Sequence, residues 1–333
     1  MNIPQRIELL ARLGAYMAGD DEAWKAAKNK AYLHNGWFLP AFIDIAAKNI
    51  ANNFLQADIL AGWLAKYPSV SHSQTGKTVG IVMAGNIPLV GFHDFMCVFA
   101  AGHRAAIKAS GKDEVLIKHL TEKLAEWAPE LADHVEYRDM LKGCDAYIAT
   151  GSNNSAGYFD YYFGKYPHII RRNRTSVAIL TGDESTEELD LLADDVHLYY
   201  GMGCRNVTKL LVPYGYDFEP LLNVFKKYNY LGDESKYKNN YDYNLALHIL
   251  NNRPYMSTPA LILVEDESIF SPVSQLHYEF YNFEEAALQS AAMNDSVQCI
   301  VGKKYIPFGQ AQCPAIDQYA DAVDTMEFLC DMA

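Results

Sequence analysis

Cysteines at metal-binding or redox spacing are missing from this chain. None of its six forms a C-x-x-C pair, which argues against a zinc knuckle or a dithiol redox motif. Its ten histidines show neither H-x-x-H nor H-E-x-x-H, so no metal site is expected. Cations are short: Lys and Arg total 28 against 41 Asp and Glu, a net charge of -13. Nucleic-acid binding needs clustered cations, and no such partner is expected. Long apolar runs are also absent. The most apolar window, Thr78 to Phe95, is broken by Gly85-Asn86 and Pro88 and carries His93-Asp94, so no membrane span is expected. Met1-Asn2-Ile3-Pro4-Gln5-Arg6 leads into an amphipathic pattern, and no secretory or transit segment is read there. Free thiols without such a segment point to the cytoplasm. There is no internal repeat and no low-complexity tract.

What the chain does have is length and apolar content. It holds 333 residues, 50% hydrophobic and 21% charged, enough for about two cores. The acidic balance leaves room for an anionic ligand, because a local pocket can carry the opposite sign. From 4 to about 68 the pattern is helical: Ile7, Leu10, Leu13 and Met17 recur at helical spacing, Gly19-Asp20-Asp21 interrupts, and Pro68 closes the region. Then Thr78 to Met83 reads as a buried parallel strand, Leu89 to Ala101 as a helix and Ala105 to Lys108 as a second strand. Lys112 to Trp127 reads as a helix and Ala146 to Thr150 as a third strand. A second series follows: strands at 176–180, 207–213 and 260–264, helices at 187–199 and 218–228, and an exposed excursion at 228–243. This alternation predicts open, doubly wound parallel sheets with ligands at strand ends. The domains are read as 1–175, 176–296 and a closing segment 297–333.

Cys204 is the most informative residue. It lies in Tyr200-Gly201-Met202-Gly203-Cys204-Arg205-Asn206, between a helix and a strand. The glycines allow close approach of a substrate, and Arg205 would favour the thiolate, the nucleophilic form. The alternative is a small apolar filler at a helix–strand joint. Cys97 and Cys144 read as core, and Cys299, Cys313 and Cys330 lack the glycine context. Asn86 follows the first strand, where its amide could donate to an oxyanion or simply cap a helix. Lys108 ends a strand and suits a ribose hydroxyl, a phosphate or plain solvent. Gly151-Ser152 follows another strand and suits a pyrophosphate. Arg171-Arg172-Asn173-Arg174 either meets phosphates or pairs with carboxylates.

In order, these pieces resemble the aldehyde dehydrogenase superfamily, and within it the acyl-CoA reductase family, which includes the fatty acyl reductases of bacterial bioluminescence. The resemblance covers roughly 77–330. Asn86-Ile87-Pro88 is similar to the Asn-x-Pro turn, and Ala101 to Gly111 to A-G-N-x-V-x-x-K-P-S-E. Thr150-Gly151-Ser152 matches F-T-G-S, and Tyr200 to Cys204 resembles G-Q-x-C. Ile269-Phe270-Ser271-Pro272-Val273 resembles E-x-F-G-P-V, and Ile306 to Met326 resembles the acyl-CoA reductase C-terminus. The resemblance implies an aldehyde dehydrogenase-like fold, two doubly wound α/β domains with a helical N-terminal region. It implies Cys204 as nucleophile and Asn86 as oxyanion donor. Lys108, Ser110, Lys112, Gly151, Ser152 and Phe270 would bind a nicotinamide cofactor. It also implies a homodimer, with Val297 to Lys304 or the tail pairing across a twofold axis.

The departures from the family pattern carry mechanism. The general-base Glu of E-L-G-G-K is replaced by Ile170-Arg171-Arg172-Asn173-Arg174, without a carboxylate. A hydrolytic aldehyde dehydrogenase needs that base; a CoA-dependent reductase does not. The acid of K-P-S-E is Gly111, which favours NADPH over NADH, NADH remaining possible. The ribose-binding Glu of E-x-F-G-P is Ser268, beside Glu267. The expected function is NADPH-dependent reduction of an acyl-CoA to an aldehyde, releasing coenzyme A. The alternatives are a cysteine acyltransferase or thioesterase on the same fold, and a non-catalytic nucleotide- or acyl-binding protein.

Overall fold

Asn2 starts the first helix by satisfying donors that a helix N-terminus leaves unpaired. Its side chain accepts from Gln5 N at 3.0 Å, and the Gln5 side chain accepts from Asn2 N at 2.9 Å. The computed structural model describes residues 1–72 and 76–332. Four helices come first: α1 (Ile3–Ala18), α2 (Glu22–His34), α3 (Pro40–Asn53) and α4 (Ala57–Leu64). The Gly19-Asp20-Asp21 break is real, since Gly19 ends α1 and the Asp21 carboxylate caps α2. Their apolar stripes bury Leu10, Leu13, Trp24 and Trp63. Trp24 can be buried because its indole N–H donates to Met17 O at 3.0 Å.

The chain divides into two units, Met1–Asn173 with Pro314–Ala333, and Arg174–Cys313. The first holds β1 (Thr78–Val82), α5 (Phe92–Ala101), β2 (Arg104–Lys108), α6 (Glu114–Trp127), β3 (Val135–Tyr137), β4 (Ala146–Thr150), α7 (Asn153–Phe163) and β5 (His168–Arg171). The strands are parallel, in the order β3-β2-β1-β4-β5. Every residue of α5 except His93 is buried, which is why its sequence reads as an apolar run rather than a stripe. The helix begins later than its apolar pattern predicts. Leu89 has a left-handed φ of 59°, and its N–H is taken at 2.7 Å by the Asp113 carboxylate.

The second unit holds β6 (Thr175–Ile179), α8 (Thr186–His197), β7 (Val207–Pro213), α9 (Glu219–Phe225), α10 (Ser235–Leu250), β8 (Met256–Ser257), β9 (Ile262–Glu265), β10 (Gln275–Tyr281), α11 (Glu284–Ala292) and β11 (Val297–Val301). Its order is β11-β6-β7-β10-β9-β8, with only β8 and β9 antiparallel. The stretch 228–243, expected as an exposed excursion, is instead a 3-10 turn running into α10. Tyr237 anchors α10 by burying its ring and donating its hydroxyl to Ala260 O at 2.7 Å. Residues 297–313, set with the closing segment in the sequence reading, fold into this second unit.

The remaining tail belongs to the first unit and ends in α12 (Thr325–Cys330). Its Tyr319 hydroxyl accepts from the Trp63 indole at 2.8 Å, and Asp324 accepts from the Tyr67 hydroxyl at 2.6 Å. No helix among the described residues is long and apolar enough to cross a membrane.

Candidate active site

The order of the first sheet reverses at β1, which has β2 on one side and β4 on the other. In open parallel sheets the crevice beyond such a reversal is where ligands bind. The strands end level there: Val82 lies opposite Lys108 on one side and Ala149 on the other. The turns that leave them carry most of the expected site. Asn86 is half-buried in the turn after β1. Lys108 ends β2, and Ser110 and Lys112 follow it; both lysines are exposed, and Ser110 Oγ accepts from Lys112 N at 3.3 Å. A Cβ at Gly85 would lie 2.4 Å from Ser110 Oγ, so only glycine lets these two turns meet. Gly151 and Ser152 follow β4, and Ser152 caps α7 by accepting from Ser155 N at 3.2 Å. Six of the eight expected site residues therefore share one edge of this sheet.

Asp113 underlies this edge and is not legible from sequence. It is 6% exposed, and its Oδ2 holds the Leu89 N–H of the Asn86 turn. Burial pushes its carboxyl well above the usual carboxylate range, with only the Leu89 N–H acting against it. The Arg171–Arg174 cluster does not present three cations to a phosphate. Arg171 is buried, pairs with Asp94 at 2.6 Å and donates to Thr325 Oγ1 at 2.8 Å. Arg172 pairs with Asp160, and Arg174 donates to Val297 O. A buried cation needs such partners, and they leave Arg171 committed to the fold.

In the second unit Cys204 is half-buried in the short loop between α8 and β7. The loop opens with three left-handed residues, Tyr199, Tyr200 and Gly201, at φ of 55°, 58° and 73°. Such conformations cost energy and persist only where neighbours enforce them. The enforcing residue is Asn206, fully buried. Its Oδ1 accepts from Gly203 N at 2.8 Å. Its Nδ2 donates to Asp195 O at 3.0 Å and Leu198 O at 2.8 Å. Ser176 Oγ donates to Cys204 O at 3.0 Å. Asp195, on α8, reaches the other way: its carboxylate accepts from Gly309 N at 2.7 Å and Ala311 N at 3.0 Å. Burial raises this carboxyl to about 7, the two N–H donors working against the shift.

Phe270, the last expected residue, lies in the loop between β9 and β10. Three neighbours hold that loop through its carbonyls. Lys209 Nζ donates to Glu267 O at 2.6 Å, His277 Nδ1 to Ser268 O at 2.9 Å, and Thr208 Oγ1 to Ile269 O. Lys209 is only 2% exposed and pairs with Glu279. It borders a cavity of about 390 Å³ that α11 overhangs with Ala287 and Ala291. Ser268 turns its hydroxyl onto Phe270 O at 3.1 Å.

No protein-family model and no curated protein matches the chain. Solved structures match it in fold. Aldehyde dehydrogenase 21 from Physcomitrella patens, in complex with the reaction product succinate, superposes with a TM-score of 0.70 at 12% identity, covering 100% of this chain and 84% of that one. An aldehyde dehydrogenase from Bacillus cereus in an NAD+ complex gives 0.66 at 15%, covering 90% and 72%. An NADP dependent enzyme of E. coli gives 0.67 at 12%, covering 90% and 73%. At these identities the likeness is one of architecture: two sheet-containing α/β units and a helical N-terminal region, the fold of the aldehyde dehydrogenase superfamily.

Proposed function

We propose that this protein reduces an acyl-CoA thioester to an aldehyde, with NADPH as the reductant and Cys204 as the acyl carrier. The observation that carries the reading is Cys204 itself. It is a half-buried thiol on a loop of three left-handed residues that the buried Asn206 holds in place. A structure that spends strain on one cysteine loop, in a fold shared with aldehyde dehydrogenases, argues for chemistry at that thiol.

The edge of the first sheet fits a phosphate-bearing cofactor. It offers two exposed lysines, 108 and 112, the N-terminus of α7 behind Ser152, and a glycine at 85 that keeps the turns close. A reduced nicotinamide bound there would supply the hydride. The protein's own part begins with Cys204 Sγ, which attacks the thioester carbonyl carbon. Coenzyme A leaves as its thiolate, and the acyl group stays on Cys204. The Asn86 amide and the Cys204 N–H are the oxyanion donors in this reading. The 170–174 stretch offers no carboxylate to activate water, which argues for release by reduction over hydrolysis. The same reading takes the protein as a homodimer, with β11 at the edge of its sheet and its C-terminal end already bridged by Ile306.

A second reading, an acyl transfer without reduction, draws on Ser268, which gives its hydroxyl to Phe270 O instead of offering a carboxylate. One experiment separates the two: acyl-CoA with and without NADPH, followed by intact mass and by nicotinamide absorbance. Reduction predicts an acyl adduct that NADPH discharges as it is oxidised, and no adduct on Cys204→Ala. An adduct of the acyl mass on Cys204→Ala overturns the assignment. An adduct that NADPH leaves untouched favours the transferase.

A further inference from the structure

The second sheet carries two register irregularities at one place. β11 and β6 slip between Val297 and Ile300, and β6 and β7 slip between Ser176 and Val177. A bulge bends its strand and re-aims a side chain, and bulges gather beside reactive sites. Here the slips bring Cys299 Sγ to 3.0 Å from Ser176 Oγ. The same hydroxyl donates to Cys204 O at 3.0 Å. One hydroxyl thus separates the Cys299 thiol from the backbone of Cys204. Arg205, the residue after Cys204, is near enough for its charge to favour the Cys299 thiolate.

We propose that Cys299 is the resolving thiol of Cys204, closing a reversible Cys204–Cys299 disulfide after a hydroperoxide has oxidised Cys204. In the first step the Cys204 thiolate attacks the peroxide. The O–O bond breaks, the peroxide takes two electrons and leaves as an alcohol or water, and Cys204 becomes a sulfenic acid. In the second, the Cys299 sulfur attacks the Cys204 sulfur. The S–O bond breaks, the S–S bond forms, and the hydroxyl leaves with the Cys299 proton as water. A dithiol reverses the disulfide by exchange.

The surroundings suit these unequal roles. Burial raises the Cys299 thiol, with Ser176 and Arg205 acting against the shift. Cys299 therefore rests as a thiol and leaves the peroxide to Cys204. The Arg205 charge favours the anionic sulfur as Cys299 attacks. The disulfide stops Cys204 short of the sulfinic acid, which a dithiol does not reverse. This chemistry uses the reactivity of Cys204 toward electrophiles and is independent of its acyl substrate.

The test is hydrogen peroxide at several equivalents per chain on the full chain, enough for two successive two-electron oxidations of one thiol, then non-reducing digestion and mass mapping. The expected product is a Cys204–Cys299 linked peptide that dithiothreitol releases. In Cys299→Ser, whose hydroxyl still reaches Ser176, the same dose takes Cys204 to the sulfinic acid, which dithiothreitol leaves in place. Sulfinic Cys204 in the wild type with Cys299 still open to alkylation overturns the proposal, as does a Cys204 link to Cys313 instead. A Cys204–Cys299 link in a protein that takes no acyl group sinks the reductase reading and leaves this one standing.

Discussion

The Asn206 side chain donates to Leu198 O and accepts from Gly203 N, each at 2.8 Å. One amide thus grips both ends of the left-handed turn that presents Cys204. Asn206→Ala strands a buried N–H and several carbonyls, each costing about 1–3 kcal/mol. The variant is expected to lose on the order of 3 kcal/mol in urea unfolding. Its Cys204 is expected to acylate at least ~10-fold more slowly, which corresponds to a barrier about 1.4 kcal/mol higher. Unchanged acylation at reduced stability would show that the loop needs no such clamp.

Asn86→Ala should lower turnover by about 10²–10³ if its amide meets the oxyanion. The binding of NADPH, followed by fluorescence, should be unchanged. A variant with full turnover returns Asn86 to the role of an ordinary turn residue.

Lys108→Ala and Lys112→Ala test the cofactor edge. Losing one charge-assisted bond to a phosphate costs about 1.5–3 kcal/mol, so the KM for NADPH should rise roughly tenfold or more. The KM for NADH should move little if the lysines read the extra phosphate. Equal losses for both cofactors would place the lysines on the pyrophosphate instead.

Burial sets two neighbours on α8 titrating in opposite senses. It lowers the His197 imidazole from 6.5 to about 4 and raises the Asp195 carboxyl from 3.8 to about 7. The unfolded imidazole takes a proton near 6.5 that the folded one refuses, so its contribution is lost as pH falls from 6.5 toward 4. The folded Asp195 keeps a proton that the unfolded one releases, so its contribution is lost as pH rises from 3.8 toward 7. Relative to wild type, His197→Phe should therefore gain about 2 kcal/mol between about pH 7 and about pH 5. Parallel urea-stability curves for the two proteins across that range would refute the shift.

Arg171→Met leaves Asp94 buried without its cation and should cost about 3–5 kcal/mol. Arg171→Met with Asp94→Leu should recover most of that loss, since an apolar pair of similar volume suits the site. Denaturant midpoints of the two variants measure the difference.

The layers of the fold were legible where strands are apolar. Thr78 to Val82, Ala146 to Thr150 and Val207 to Pro213 are β-branched or alanine-rich runs, and they form β1, β4 and β7. The central strand β10 escaped because Gln275-Leu276-His277-Tyr278-Glu279-Phe280-Tyr281 looks polar. Its Glu279 pairs with buried Lys209 and its His277 holds a loop carbonyl, so polarity there is a tertiary contact. Helix α10 escaped for a related reason: its buried positions are Tyr237, Asn244 and His248, not aliphatics. In the candidate site the strand-end residues were readable because glycines and prolines mark turns. The supports, Asp113, Ser176, Asp195 and Asn206, were not, because a buried polar residue reveals its role only through the partner the fold brings to it. Cys299 was passed over for want of flanking glycines, and a strand irregularity rather than a motif puts it beside Ser176.

The tail of the first unit has a consequence for the order in which the protein can be built. Trp63 waits for Tyr319, 256 residues further along the chain. Arg171, similarly, meets Thr325 154 residues later. On the ribosome, at about 5–20 residues per second, the early helices emerge well before the residues that seal them. The Arg174–Cys313 unit is contiguous and can reach its native contacts first, while the part of the protein made earliest is the last to close.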